Sequence, residues 1–323
     1  MALRHHRGMS PRLRTPRPTL TAGRIYTRAE LRALGLPASD LAHCGIVTRL
    51  FHNAYVATGS RIDLALRSRA ALTVLPHGSV IDGPTAARLW GGTVPDLGEI
   101  TASVPTRNSI RPAGITTISR TNLSDRARFT RHGVTVCHPL TAFTDCAGRL
   151  GLVELVVLGD SLVKARGLSP FDLVAAAQQM RGRHRRLAVE AANLVRAGVD
   201  SPPETRTRLL AVFAGLPEPT PNIIIRRADG SWDRRYDMGH EEEKVAYEYD
   251  GRQHAETTAQ WRRDLRRREE SDADGWRLVV VTSEDLYATP GETVERMCAA
   301  LRSRGRYVSI RSDRWRRYFP GRD

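Results

Sequence analysis

The chain has 323 residues, of which 41% are hydrophobic and 26% charged, so it is long enough for two or three domains and its composition excludes a disordered chain. Apolar stretches such as the one around residues 153–158 are too short to cross a bilayer, and no apolar segment follows the basic N-terminus, so we expect a cytoplasmic protein without membrane contact or a secretory signal. The net charge of +15 comes almost entirely from arginine and favours a polyanionic partner, although arginine-rich surfaces also occur on proteins that bind no nucleic acid.

Turn residues and hydrophobic periodicity divide the chain into five segments. The two end segments are rich in arginine, and the segments between them carry the periodic apolar patterns of folded structure. In order, the segments are a basic disordered tail (1–23), a helical unit with a hairpin (24–60), an α+β connecting domain (61–199), an α/β domain (200–305) and a second basic tail (306–323).

The second segment predicts two short helices followed by a hairpin. Thr27 and Glu30 form a capping-box pattern at the start of the first helix, and Gly35 follows its end. The second helix is expected at residues 38–44 and the hairpin at residues 46–56. This is the order of elements in a winged helix-turn-helix, in which the second helix enters the major groove of DNA.

The same segment resembles the winged-helix domain of AbiEi-type antitoxins and related bacterial regulators, on the runs TRAELRALGL and RLFHNAYVA. The resemblance implies binding to DNA and leaves open whether a toxin is the protein's partner. The side chains that it would place against DNA are Arg28, Arg32, Ser39, Arg49 and His52. The alternative is a small helical cap with a hairpin that makes no contact with DNA.

The connecting domain predicts helices and strands without a catalytic pattern. Helices are expected at residues 66–75, 83–90, 140–146, 152–164, 170–180 and 184–196, and strands at 100–104, 115–119 and 134–137. Residues 181–186 contain four arginines, which form either a phosphate-binding face or an ordinary solvated surface.

The C-terminal domain predicts the element order αβββαβα. Helices are expected at residues 201–214, 256–274 and 292–302, and strands at 222–226, 232–238, 245–250 and 278–282. This order is the core arrangement of the restriction-endonuclease-like, or PD-(D/E)XK, nucleases. We therefore expect an α/β fold with a central mixed sheet flanked by helices.

Carboxylates on two neighbouring strands of this domain indicate a metal site. Asp237 ends the second strand, and Glu248 and Asp250 share one face of the third, while Tyr247 and Tyr249 face the other way, towards the core. Buried carboxylates are costly unless a partner compensates their charge. Nucleases of this class hold a hard divalent cation with carboxylates to polarise the phosphate and activate water. The pattern predicts a site for Mg²⁺ or Mn²⁺.

Residues 244–282 closely resemble an uncharacterised bacterial domain family related to the very-short-patch repair endonuclease. Its hallmark is E-x-D-G-x-x-H, then Q-x-x-x-D-x-x-R, then G-W before an apolar strand. The chain matches this hallmark with Glu248, Asp250, Gly251, His254, Gln260, Asp264, Arg267, Gly275 and Trp276, and it matches the family upstream with Ser201, Pro202 and Glu204.

The resemblance implies that Asp237 and Glu248 are the metal ligands. Asp250 stands where many restriction enzymes have a lysine, and a carboxylate supplies no positive charge. Arg252 or Lys244 would then stabilise the charge that develops during hydrolysis.

Other matched residues have two interpretations each. His254 would position the water or protonate the leaving oxygen, or it is a structural histidine. Glu204 is either catalytic or the capping-box partner of Ser201. Three residues of the long helix share one face and either support the site or form ion pairs on the surface, namely Gln260, Asp264 and Arg267.

The leading hypothesis is a DNA-binding protein with a metal-dependent endonuclease domain, acting on duplex DNA in repair, phage defence or mobile-element biology. The alternative is a non-catalytic regulator of the antitoxin type that keeps the nuclease fold as a binding platform. A third reading is a nuclease directed at RNA. The target structure and the oligomeric state are left open by the sequence.

Overall fold

The computed structural model describes residues 18–37, 41, 45–105, 112–120, 123, 128–226, 229–251 and 273–321. No helix within these ranges has the length and apolar character needed to cross a membrane. The expectations for most of the first tail, for the helix at 38–44 and for nearly all of the helix at 256–274 lie outside the described residues.

The first helix forms where the capping box predicts it. Helix α1 (Arg28–Ala33) starts with reciprocal hydrogen bonds, because the Thr27 hydroxyl accepts from the Glu30 N–H and the Glu30 carboxylate accepts from the Thr27 N–H at 2.7 Å. Gly35 follows the helix with φ of 83°, the left-handed conformation that ends many helices.

The predicted hairpin is also present. Strands β1 (Val47–Phe51) and β2 (Ala54–Ala57) pair antiparallel, and Asn53 takes a positive φ of 63° at the tip. The Asn53 side chain accepts a hydrogen bond from the backbone N–H of Arg28 at 2.8 Å, which holds the start of α1 against the tip. A small separate core beneath them contains Tyr26, Leu31, Leu36, Leu41 and Tyr55.

A mixed sheet forms the centre of the connecting domain. In the described residues its strands are β3 (Val80–Ile81), β4 (Ile100–Val104), β5 (Ile115–Ser119), β6 (Arg128–Arg131) and β7 (Val134–Cys137). Their order is β5-β4-β3-β7-β6. The sequence predicts β4, β5 and β7 with these bounds but misses β3, which has two residues, and β6, which is largely exposed and carries no apolar alternation.

Helices cover this sheet close to the predicted positions. They are α2 (Leu64–Val74), α3 (Gly83–Leu89), α4 (Pro139–Cys146), α5 (Leu152–Arg166), α6 (Pro170–Gln179) and α7 (Arg185–Leu194). Helix α5 is buried on nearly all sides, as expected of a helix that is apolar around its circumference.

The C-terminal domain contains a second mixed sheet. Its elements in the described chain are α8 (Pro202–Phe213), β8 (Thr220–Arg226), β9 (Trp232–His240), β10 (Val245–Asp250), β11 (Arg277–Thr282), α9 (Ser283–Tyr287), α10 (Pro290–Ser303) and α11 (Arg314–Tyr318). The strand order is β11-β10-β9-β8, with β8, β9 and β10 antiparallel and β10 parallel to β11. The expected mixed α/β architecture, with mixed sheets flanked by helices, is confirmed. Helix α8 packs against β9 and β10.

A buried ion pair joins the connecting domain to α8. The Arg208 guanidinium is fully buried and lies 3.1 Å from the carboxylate of Asp160 on α5 and 2.7 Å from that of Glu218. Asp160 also accepts hydrogen bonds at 2.8 Å from the Thr205 hydroxyl and from the Arg196 backbone N–H. Because the buried Arg208 and Asp160 side chains bond to each other and to groups on either side, they fix α8 on α5 and thereby set the position of the N-terminus of α8.

Candidate active site

Asp237 lies where the pairing of β9 with β10 stops. The two strands are in register from His240 opposite Val245 to Met238 opposite Tyr247. The next residues on the two strands are Asp237 and Glu248. Beyond that point an Asp237 carboxylate oxygen, Oδ2, accepts the backbone N–H of Tyr249 at 2.9 Å. The side chain thus takes the position of a backbone acceptor at the end of the ladder.

The other neighbour of β9 is also irregular at this point. Pro221 pairs with Met238 and Ile223 with Tyr236, but the residue between them on β8, Asn222, has φ of 58°. Asparagine is one of the few residues other than glycine that adopts this left-handed conformation. The sheet is therefore distorted on both sides of Asp237, as is common beside functional sites.

Glu248 and Asp250 occupy alternate positions on β10, as predicted. Both are half-buried, and β11 places Val280 beside Glu248 and Thr282 beside Asp250. Tyr247, between the sheet and the core, is 1% exposed. The strand therefore presents its carboxylates on the face opposite its buried tyrosine.

Glu204 is brought near Asp237 by the packing of α8. It is buried, and its two carboxylate oxygens accept hydrogen bonds at 2.8 Å from the Asp200 backbone N–H and from the Ser201 hydroxyl. Burial raises the pKa of Glu204, and the neighbouring charge of Asp237 raises it further against the lowering effect of the Asp200 hydrogen bond. Half of the predicted capping box is present, since the Ser201 hydroxyl accepts from the Glu204 N–H at 3.4 Å, whereas the Glu204 carboxylate accepts from the Asp200 N–H in place of the Ser201 N–H. A catalytic role for Glu204 remains a prediction.

Sequence reasoning did not identify the cations around Asp200. Lys164 and Arg235 each form a salt bridge with Asp200 at 2.8 Å, and Arg235 lies two residues before Asp237 on β9. Lys164, one of two lysines in the whole chain, holds the pKa of Asp200 below its usual value. Lys164, Asp200 and Ser201 line a cleft of about 340 Å³ between α5 and α8. The rarity of lysine in the sequence is the signal that could have drawn attention to Lys164.

For several predicted site residues, the structure gives no position at the site. Outside the described residues lie Ser39, Arg252, His254, Gln260, Asp264 and Arg267. Lys244 is described, but it precedes β10, and its ammonium donates to the backbone oxygen of Asp274 at 3.1 Å. It lies roughly 13 Å along the strand from Glu248, so the structure does not bring it to the carboxylates.

The described N-terminal candidates group together on the first unit. Arg32, Arg49 and His52 are exposed, and Arg28 is half-buried at the start of α1, beside the hairpin tip at Asn53. They belong to the unit with its own small core rather than to the sheet that carries Asp237. Their contact with DNA remains a prediction.

The carboxylates suit a magnesium ion in number and chemistry. Within the described ranges, no group of three or more His, Cys, Asp or Glu side chains is arranged to hold a metal ion. Magnesium, however, commonly keeps several waters and uses one or two carboxylates of the protein. Asp237 and Glu248, the residues that follow the last pair of the β9–β10 ladder, offer two carboxylates of that kind.

The sequence matches no protein-family model, and a search of curated proteins gives no match either. The function is therefore argued from the site itself.

Proposed function

We propose that this protein is a DNA-binding endonuclease that hydrolyses phosphodiester bonds with Mg²⁺ or Mn²⁺ held in its C-terminal domain. The single observation that carries the proposal is the adjacency of Asp237 and Glu248 at the end of the β9–β10 ladder, with Glu204 close enough to Asp237 to feel its charge. Negatively charged carboxylates that are gathered at one irregular point of a sheet repel one another, and a bound cation would offset that repulsion.

The order of elements supports a restriction-endonuclease-like core. Helix α8 is followed by the antiparallel strands β8, β9 and β10, then by the parallel strand β11 and helix α10. The order of the described elements agrees with the predicted αβββαβα pattern, apart from the short helix α9 and the long helix predicted at residues 256–274. Fold alone does not imply function, so the carboxylates carry the argument and the fold agrees with it.

Asp237 and Glu248 would hold the ion, which when bound supplies Lewis acidity and an activated water. Asp237 is oriented by its hydrogen bond from Tyr249, so its carboxylate is fixed before any ion arrives. Both oxygens of Glu204 accept hydrogen bonds from the residues just before α8, and its carboxylate adds negative charge to the site. His254 or Arg252, which follow β10 in the sequence, would supply the proton or the positive charge that hydrolysis requires.

Affinity for duplex DNA is supported by two features. The net charge is +15, and helix α1 and the β1–β2 hairpin form at the positions predicted for a winged helix-turn-helix, whose second helix falls outside the described residues. In this proposal Arg32, Arg49 and His52 contact DNA while the C-terminal domain cleaves it. The proposed biological setting is DNA repair, phage defence or mobile-element biology. A partner toxin is a further candidate within the same proposal.

One observation favours the second candidate, a non-catalytic regulator. The Asp237 carboxylate and both oxygens of Glu204 already hydrogen-bond within the protein, as structural carboxylates do. In that case the N-terminal unit binds DNA, and the C-terminal domain serves as a platform.

The two candidates differ in metal-dependent cleavage. Full-length protein is incubated with labelled duplex, single-stranded and mismatched DNA, and with structured RNA, in Mg²⁺, Mn²⁺ or EDTA. The Asp237→Ala/Glu248→Ala variant, prepared identically, controls for contaminating nucleases. Cleavage of DNA that is lost in EDTA and in the variant supports the endonuclease. Binding without cleavage that is the same in both proteins favours the regulator, and preferential cleavage of RNA reassigns the substrate.

A further inference from the structure

Two arginine clusters that lie far apart in the sequence meet in one groove. The groove, of about 630 Å³, lies between the start of α7 and helix α11. Arg183 and Arg186 line one wall, and Arg314 and Arg317 line the other. Among the described lining residues, Glu190 is the one acidic side chain, so the groove carries a clear positive excess.

Helix α11 is firmly attached rather than a loose terminal segment. Trp315 and Phe319 are 4% and 2% exposed and belong to the main hydrophobic core. The backbone N–H groups of Arg311 and Ser312 both donate to the Ala214 carbonyl oxygen just after α8, at 3.0 and 3.2 Å. Burial of these two large aromatic side chains keeps this wall of the groove in place.

Arg314 ties the two walls together. It forms a salt bridge with Glu190 on α7, and its guanidinium stacks 4.4 Å from the Phe213 ring centroid and 5.8 Å from that of Tyr318. The two rings are 4.9 Å apart. Arg314 is therefore a structural part of the groove.

The remaining arginines are open to solvent. Arg183, Arg186 and Arg317 are exposed, and none of them forms a salt bridge with another residue of the described chain. Arg183 donates to the Nε2 of His184 at 2.9 Å, and the Arg317 guanidinium lies 5.5 Å from the Tyr318 ring centroid, so neither charge is neutralised by a carboxylate. Three guanidinium groups without a carboxylate partner around one groove attract an anion with repeated charges. Guanidinium groups bind phosphate and carboxylate oxygens alike in bidentate fashion, and the evenly repeated charges of a phosphodiester backbone suit several such groups around one groove better than isolated carboxylates do.

We infer that this arginine groove binds the phosphate backbone of duplex DNA, as a contact separate from both the carboxylate site and the N-terminal unit. The identity of the polyanion rests on the proposed function, whereas the groove does not depend on the metal site. Phe213, beneath Arg314, lies about 14 Å along α8 from Glu204. The arginine groove and the carboxylate site are therefore close enough for one short duplex to reach both.

The experiment measures binding of a short labelled duplex by fluorescence anisotropy in EDTA, over a series of salt concentrations. The test variant is Arg186→Gln/Arg317→Gln, which leaves Arg314 and its structural contacts in place. The control variant, Arg226→Gln/Arg277→Gln, removes the same charge from exposed positions on the C-terminal sheet. Thermal melts of both variants check that they are folded.

We expect the groove variant to bind the duplex at least about tenfold more weakly. Its plot of log affinity against log salt should be shallower by about 1.8, because each lost phosphate contact lowers the slope by roughly 0.9. The control variant should stay within about twofold of the unmodified protein, since its arginines lie away from the groove.

Equal weakening in both variants, or no weakening in either, would overturn the inference. A polyglutamate competitor that displaces the duplex from the unmodified protein as effectively as unlabelled DNA does would assign the groove to acidic proteins and also overturn it. Failure of the endonuclease proposal is separable: groove-dependent binding in EDTA without any cleavage in Mg²⁺ leaves the groove standing, whereas cleavage with unaltered binding by the groove variant rejects the groove alone.

Discussion

The carboxylate of Asp237 accepts a hydrogen bond at 2.9 Å from the backbone N–H of Tyr249, across two strands whose own pairing has just ended. The bond satisfies a backbone donor that would otherwise lack a strand partner on this side. It also fixes the carboxylate relative to β10, the strand that carries Glu248. Strand geometry therefore sets the orientation of the proposed metal ligand.

Replacing Asp237 should separate its charge from its hydrogen bond. In Asp237→Asn the amide oxygen still accepts from Tyr249, so we expect a free energy of unfolding within about 1 kcal/mol of the original and a loss of metal-dependent cleavage of at least about 100-fold. Asp237→Ala removes both functions and should also destabilise by about 1–3 kcal/mol. Urea unfolding and cleavage rates measure the two effects. Full cleavage by Asp237→Asn would remove this residue from the site.

Glu204 should prove mainly structural. Its oxygens are both occupied by Asp200 and Ser201, so Glu204→Gln should lower cleavage by less than about tenfold. Ser201→Ala, which removes the helix cap, should cost about 1 kcal/mol of stability. The cleavage rates of Glu204→Gln and Asp237→Asn, measured at the same protein concentration, distinguish a structural role from a catalytic one. A loss for Glu204→Gln as large as that for Asp237→Asn would make it a catalytic residue.

A methyl group at Gly239 should disrupt the site through the sheet. A Cβ there would overlap the carbonyl oxygen of Val245 and lie 3.0 Å from the Cα of Ala246, both on the neighbouring strand. We expect Gly239→Ala to cost about 3 kcal/mol and to abolish cleavage, because β9 must move away from β10. Thermal unfolding and the nuclease assay report both effects. Gly151→Ala, at an open position with φ of −72°, is the control and should cost less than about 1 kcal/mol.

The Asp160–Arg208 pair should contribute strongly to stability when one member is removed. Arg208→Met leaves the buried Asp160 carboxylate without its main partner, so we expect a loss of about 3–5 kcal/mol in urea unfolding. The Asp160→Leu/Arg208→Met double variant should recover much of that loss. The exposed pair of Arg24 with Glu30 is the comparison, and Arg24→Gln should cost less than about 1 kcal/mol. Similar losses for Arg208→Met and Arg24→Gln would refute the expectation.

Stability should fall in mild acid because of His240. Burial, with Arg306 nearby, lowers the pKa of His240 from 6.5 to about 4. Between these values the unfolded chain binds a proton that the folded protein does not, so the free energy of unfolding decreases as pH falls through this window. After allowance for solvent near the ring, the loss is on the order of 2 kcal/mol by pH 4.

The His240→Phe variant isolates this effect. The imidazole packs edge-on against Tyr247 with centroids 5.8 Å apart, and among the described residues its Nε2 has no hydrogen-bond partner, so phenylalanine keeps the packing. Unfolding curves at a series of pH values should be flatter for the variant between pH 6.5 and 4. Parallel curves for the two proteins would show that another group is responsible.

Local features of the sequence were sufficient for much of the secondary structure. The capping box at Thr27 and Glu30 and the bounds of β4, β5, β7 and β10 follow from capping groups, turn residues and two-residue alternation, which act over a few residues. The spacing of Glu248 and Asp250 likewise determined that they share a face of one strand. The sequence did not indicate β3 or β6, because their strand conformation comes from pairing with β4 and β7 rather than from their own pattern.

Only the tertiary structure decided which distant groups meet. The bond from Tyr249 to Asp237, the burial of Glu204 beside Asp237, and the groove that joins Arg183 and Arg186 to the C-terminal helix depend on sheet register and helix packing. Register and packing are collective results of burying apolar side chains from many elements at once. Propensities over a short window therefore place the elements along the chain, whereas the core decides which side chains face one another.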